Sequence, residues 1–286
     1  MLDPAPLRGT LEARVPFERI HPNVMSGQID AAAVVATRAS TSLSVVFCDK
    51  QGEPPPADDR RGIAYELTTA LSTEHVLASA AIPGAFPAVE INDPARARGW
   101  YFDGGTRLNT PIRPALDLGA QRLIIVALHS PMLGADTTAR GRPQILDGVA
   151  QLLQGVLVDP LVNDVHTLST INESILAADG ERNGSLKAIP YILIAPAAPN
   201  EIGELAARTY KRGYAGPGNS TRRDRSVGRL GHVLDVGDDP LRGELLSYLF
   251  FDPDFAQELI ALGRRDARRW ISAEHDEGIW QLRAPT

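Results

Sequence analysis

Tyr101-Phe102-Asp103-Gly104-Gly105 is the stretch whose residue types and spacing could do chemistry. An aromatic strand end that runs into Asp-Gly-Gly presents one carboxylate at the edge of a sheet, and the glycines permit a positive-φ turn that leads away. A carboxylate held out in this way can serve as a general base towards a neighbouring hydroxyl. Asp-Gly and Gly-Gly are also common dipeptides of ordinary tight turns, so the motif alone leaves both readings open.

Ester hydrolysis by a serine needs a nucleophile exposed on a tight turn, a base within reach of it, and amide donors for the developing oxyanion. The chain offers the base. No Gly-x-Ser-x-Gly occurs between Met1 and Thr286, and the nearest approach, Gly218-Asn219-Ser220-Thr221-Arg222, lacks the second glycine and follows Asp103. Ser79 lies in the small-residue run Ala78-Ser79-Ala80-Ala81, where a serine bonds its own preceding carbonyl and has no elbow to expose it. The six histidines, His21, His75, His129, His166, His232 and His275, form no His-x-x-x-His or His-Glu pair, so no metal site is expected. His129, just past an apolar run, is the one histidine that could complete a Ser-Asp-His order, and that reading lacks the same elbow.

The flanks of the motif carry more information. Ala78-Ser79-Ala80-Ala81-Ile82-Pro83-Gly84-Ala85-Phe86-Pro87 upstream and Arg107-Leu108-Asn109-Thr110-Pro111 downstream resemble the patatin-like phospholipase family. The resemblance extends more weakly over nearly the whole chain. It implies a lipid acyl hydrolase with a Ser/Asp dyad, in which Asp103 takes the serine proton directly and Gly104 and Gly105 shape the turn. It implies no cofactor. The implied fold is an α/β domain of three α/β/α layers, incomplete here, with a largely helical C-terminal extension. Residues 1–115 correspond to the later part of the catalytic domain and 116–286 to a C-terminal α/β and helical region packed on it. The family's oxyanion loop and serine elbow have no counterpart, so a truncated chain or a start assigned too far downstream is expected. This polypeptide alone is expected not to turn over esters. The competing reading is a non-catalytic lipid-binding or interaction protein on the same scaffold.

The composition narrows the partners. The net charge of −6 gives no footprint for nucleic acid, and 43% hydrophobic residues over 286 positions suffice for a sizeable core. The single cysteine, Cys48 in Val45-Val46-Phe47-Cys48, excludes an internal disulfide and reads as core. Met1-Leu2-Asp3-Pro4-Ala5-Pro6 is not a charged-then-apolar leader, and no apolar run reaches the ~18 residues of a membrane span. A cytoplasmic protein that meets a lipid or fatty acyl ester substrate, with peripheral membrane contact, is expected.

The elements that must position Asp103 follow from patterning. Ala31–Thr37 and Leu43–Cys48 read as adjacent strands or a hairpin, followed by an exposed loop at 51–62. Ser72-Thr73-Glu74 starts a helix to about Ala81, which Pro83 and Gly84 end. Pro114–Leu118 is a short helix closed by Gly119. Leu123–Leu128 reads as a parallel-type strand covered on both faces, and a helical region from Gln144 to Ala178, broken near Pro160, leads to a similar strand at Tyr191–Ile194. Alternation of this kind predicts an α/β sheet with helices on both faces. The loop from Gly213 to Arg229, with Arg222, Arg223, Arg225 and Arg229, reads as a solvated surface or a phosphate-headgroup contact. Asp252-Pro253 opens a last helix with Phe255, Leu259, Leu262 and Trp270 near one face and Arg264, Arg265, Arg268 and Arg269 mostly on another. That pattern is shared by membrane-surface helices and docked C-terminal helices, and the docked helix is the expected reading.

Overall fold

The computed structural model describes residues 1–108, 110–130, 159–177, 187–214, 240–273 and 278–283. They divide into two compact units, Met1–Ala120 and Gln121–Thr286. The expected features at Asn109, the start of the long helical region, the 215–229 loop, His232 and His275 lie outside the described residues.

The first unit is built on a hairpin. β1 (Ala31–Arg38) pairs antiparallel with β2 (Ser44–Lys50) along its length, from Ala31 opposite Lys50 to Thr37 opposite Ser44. Both strands are rich in small and β-branched side chains that suit a pleated surface. β2 pairs in parallel with β3 (Ile63–Leu67). On its other edge β1 meets β5 (Gly99–Asp103), which in turn pairs with β4 (Val89–Ile91). The five-stranded order is β3-β2-β1-β5-β4.

Alternation along the strands sends side chains to two faces. One face carries Ala36, Val45, Phe47 and Tyr101, packed with Ile20 of α2 (Ile20–Met25) and with Leu71 and Ala78, the latter from α3 (Thr73–Ser79). Phe47 sits edge-on to both His75 and Tyr101, with ring centroids 4.7 and 5.2 Å apart. The other face carries Val46, Cys48, Ile63 and Tyr65, covered by Leu108 of α4 (Gly105–Leu108) and by Leu118 just after α5 (Ile112–Asp117). Cys48 is fully buried, which pushes its thiol up to about 11 and leaves it a packing residue. The first unit is thus α/β with helices on both faces. α1 (Ala5–Arg14) buries no residue fully and is tied to α3 by the Arg8–Glu74 ion pair at 2.6 Å.

Among its described residues the second unit holds β6 (Leu123–Val126) parallel to β7 (Tyr191–Ile194) and the helices α6 (Asp159–Ala177), α7 (Glu201–Tyr214), α8 (Pro240–Ser247) and α9 (Pro253–Ser272). The parallel pairing agrees with the patterning, but the double coverage does not. Leu123 and Ile125 are buried, whereas Ile124 and Val126 are 63% and 73% exposed. Among the described residues β6 pairs with β7 alone. α7 and α8 cross almost backbone to backbone: a Cβ on Gly243 would stand 2.5 Å from the Gly203 carbonyl oxygen. Around this crossing Leu205, Tyr210, Leu246, Phe250, Phe255 and Leu262 form one cluster. The apolar face of α9 is therefore core, which favours the docked-helix reading. Its start follows the sequence as well, since Asp252 accepts from the amides of Asp254 (2.9 Å) and Phe255 (3.2 Å), with Pro253 in the first position.

Candidate active site

Asp103 ends β5, and three hydrogen bonds fix its backbone. Its amide donates to the Ala81 carbonyl at 3.0 Å, which ties the strand end to the chain leaving α3. Its carbonyl accepts from the hydroxyls of Thr37 (3.0 Å) and Thr106 (2.8 Å). The strand itself is anchored by the buried Tyr101, whose hydroxyl donates to the Ala97 carbonyl and accepts from Arg38 Nε at 3.0 Å. The carboxyl group thus projects from a point fixed on several sides.

One carboxyl oxygen, Oδ1, accepts from the Gly105 amide at 2.7 Å, the bond of an Asx turn leading into α4. Burial raises the Asp103 pKa above the usual carboxylate value, and the Gly105 hydrogen bond opposes that rise. A half-buried carboxyl with a raised pKa is a stronger base once ionised than one in free water. Oδ2 carries no hydrogen bond among the described residues.

The two glycines act differently from the turn expected of them. Gly104 does not use a positive φ, and Gly105 already belongs to α4. What Gly104 supplies is space, since a Cβ there would stand 2.3 Å from the Val35 carbonyl oxygen and 2.8 Å from its carbon. The missing side chain lets the turn lie flat on β1, and the positive-φ turn is instead Gly84 (φ +84°), in the Ile-Pro-Gly segment after α3.

No nucleophile is poised on Asp103 among the described residues. The hydroxyls of Thr37 and Thr106 engage its main chain, not its carboxylate, and Ser79, the last residue of α3, makes no hydrogen bond to it. No group of three His, Cys, Asp or Glu that could hold a metal ion exists among the described residues.

Sequence reasoning missed three histidine arrangements, two made by contacts that no local spacing encodes and one by a histidine in the third position of a helix cap. His21 on α2 places Nδ1 2.9 and 3.2 Å from the two oxygens of Asp49, a carboxylate buried at the end of β2. His75 is buried behind Phe47, and its Nδ1 accepts the Ser72 amide at 3.2 Å, so the helix cap expected from Ser72 is completed by a histidine. Burial lowers its pKa below the usual histidine value. His129 follows β6 and shares a 2.7 Å hydrogen bond with the Tyr248 hydroxyl, and burial lowers its pKa to about 4. It therefore stays neutral at physiological pH, paired with a phenol and not with a carboxylate. Among the described residues, Asp103, Gly104 and Gly105 share one strand-end turn, and no hydrogen bond joins any histidine to the Asp103 carboxyl.

Residues 7–116 match the model of the patatin-like phospholipase family. The match lies wholly within the first unit and ends just past Asp103, Gly104 and Gly105. No curated protein matches the chain. Among the described residues, no helix is long and apolar enough to cross a membrane.

Proposed function

Because the first unit carries a patatin-like phospholipase domain over residues 7–116, we propose that Asp103 is the general base of a Ser/Asp dyad that hydrolyses phospholipids or other fatty acyl esters. In that reaction a serine oxygen attacks the acyl carbonyl while Asp103 takes the hydroxyl proton. Collapse of the tetrahedral intermediate breaks the ester C–O bond, and Asp103 passes the proton to the leaving alcohol. Water then repeats the sequence on the acyl-enzyme and frees the fatty acid. The dyad itself calls for no cofactor.

The observation that supports this role is the strand-end carboxyl, locked through its own backbone and held at one oxygen by the Gly105 amide. The serine comes from outside these 286 residues in this reading, since they contain no Gly-x-Ser-x-Gly. Residues 1–115 are then the base-bearing part of the catalytic domain, and 116–286 a C-terminal α/β and helical region. The protein works in the cytoplasm, at the periphery of lipid surfaces. The lack of an elbow favours one second reading, a lipid-binding protein on the same scaffold without turnover.

A fluorophosphonate probe and a fatty acyl ester assay separate the two. Residues 1–286 alone are expected to show neither labelling nor turnover. The native protein, immunopurified through its C-terminal segment, is expected to exceed 30.8 kDa and to label. In that longer form D103N is expected to lower kcat by at least about 100-fold, the scale of a lost general base. A native mass equal to this chain's, with vesicle binding and no labelling, would favour the non-catalytic reading.

A further inference from the structure

The helix α9 buries Phe255, Leu262 and Asp266, so those positions define its inner side. With 3.6 residues per turn, the opposite side is made by Gln257, Ile260, Arg264, Ala267, Arg268 and Ile271. No acidic residue lies on it. Two large apolar side chains do, and both are well exposed, Ile260 at 56% and Ile271 at 65%. They stand about 16 Å apart along the axis, with the exposed Arg264 and Arg268 between them.

The arginines of this helix divide into two pairs. Arg265 reaches Glu201 at 3.3 Å, and Arg269 reaches Asp266 at 3.1 Å and the Ala195 carbonyl at 2.7 Å. The acid nearest this face on its flank is Asp254, in the first turn, and the next, Glu258, is held by Arg212. No ion pair engages Arg264 or Arg268 among the described residues, so the two guanidinium groups on the outward face are also those available to a partner.

We propose that this face of α9 is a contact surface for an anionic phospholipid bilayer. Guanidinium groups accept phosphate and carboxylate headgroups, and isoleucines on the same stripe can enter the headgroup–acyl boundary. A stripe of one helix is too narrow for a standard protein interface, which takes about 800 Å² from each partner. Two arginines in a chain of net charge −6 do not make a nucleic-acid track. The proposal deepens the lipid reading above and rests on it, but binding is measured without turnover, so the two fail separately.

The test is flotation of the full 286-residue chain with vesicles of phosphatidylcholine alone or mixed with phosphatidylserine. Wild type is expected to float with the mixed vesicles and to be released by salt. R264Q/R268Q is expected to bind them roughly 30-fold more weakly, at the known contribution of each basic residue near an anionic surface. I260N/I271N is expected to weaken binding to both vesicle types, and D103N to bind as wild type does. All four surface positions are exposed, so far-UV circular dichroism should show an unchanged fold. No preference for phosphatidylserine, equal binding by R264Q/R268Q, loss of binding in D103N, or a dimer in light scattering that I260N/I271N dissociates would each overturn the proposal.

Discussion

Asp103 and Gly104 show how much chemistry can depend on a missing atom. The carboxyl is useful because it is fixed, and it is fixed because the next residue lies flat against the Val35 carbonyl. Gly104→Ala would place a methyl group inside that carbonyl's van der Waals shell, and neither backbone can retreat without breaking the β1–β5 pairing. A loss of about 1–3 kcal/mol is expected, the usual cost of overpacking, read from the urea midpoint. A variant as stable as wild type would show that the turn can lift off β1. The sequence made Asp103 legible as a strand-end carboxylate. It did not reveal why the glycine follows, because φ preference is a local property and the clash is with a residue 69 positions away. His21 and Asp49 were illegible for the same reason: α2 and β2 bring them together through packing, with no motif between them.

At the scale of elements, the hairpin, the Ser72 start of α3, the Gly119 stop after α5 and the Asp252-Pro253 start of α9 were all readable, since each is written in adjacent residues. Coverage was not. Leu123–Val126 is apolar throughout, and such a run shows that a strand could be buried on both sides without showing that two layers exist to bury it. The α7–α8 crossing was equally hidden, because Gly203 and Gly243 look like interruptions in their helices. In the fold they are what lets the two axes approach. Gly243→Ala is expected to cost more than the roughly 1 kcal/mol that alanine normally returns to a helix interior, so the variant should melt several degrees lower despite its better propensity. A raised melting temperature would mean that the helices can separate without loss. The stakes are high at this point, because Leu246, Phe250 and Phe255 all pack on the cluster that the crossing organises.

Across the molecule, acid should act most strongly through buried histidine. His129 has a pKa of about 4 in the folded chain, against 6.5 when exposed, so the unfolded state binds more protons between those values. Stability of the second unit should therefore fall as pH drops from about 6.5 towards 4, by roughly 3 kcal/mol at ~1.4 kcal/mol per unit. Glu244 acts in the opposite sense, because burial raises its carboxyl above 4.5 and that contribution is lost as pH rises. Comparing urea midpoints of wild type and H129Q across this range isolates the histidine; parallel curves would show that His129 does not control the acid limb.

The sheet order also sets a sequence in time. β1 and β2 are separated by five residues and can close as a hairpin within about 1–10 μs. The strand that carries Asp103 must join β1 across 66 residues, as the Thr37–Asp103 bond shows, and the entropy of closing a loop grows with its length. The proposed base is thus attached by one of the most distant pairings in its unit. On the way to the folded state it is set in place late, after the hairpin that receives it, and a nascent chain can hold a formed hairpin well before it holds a formed site.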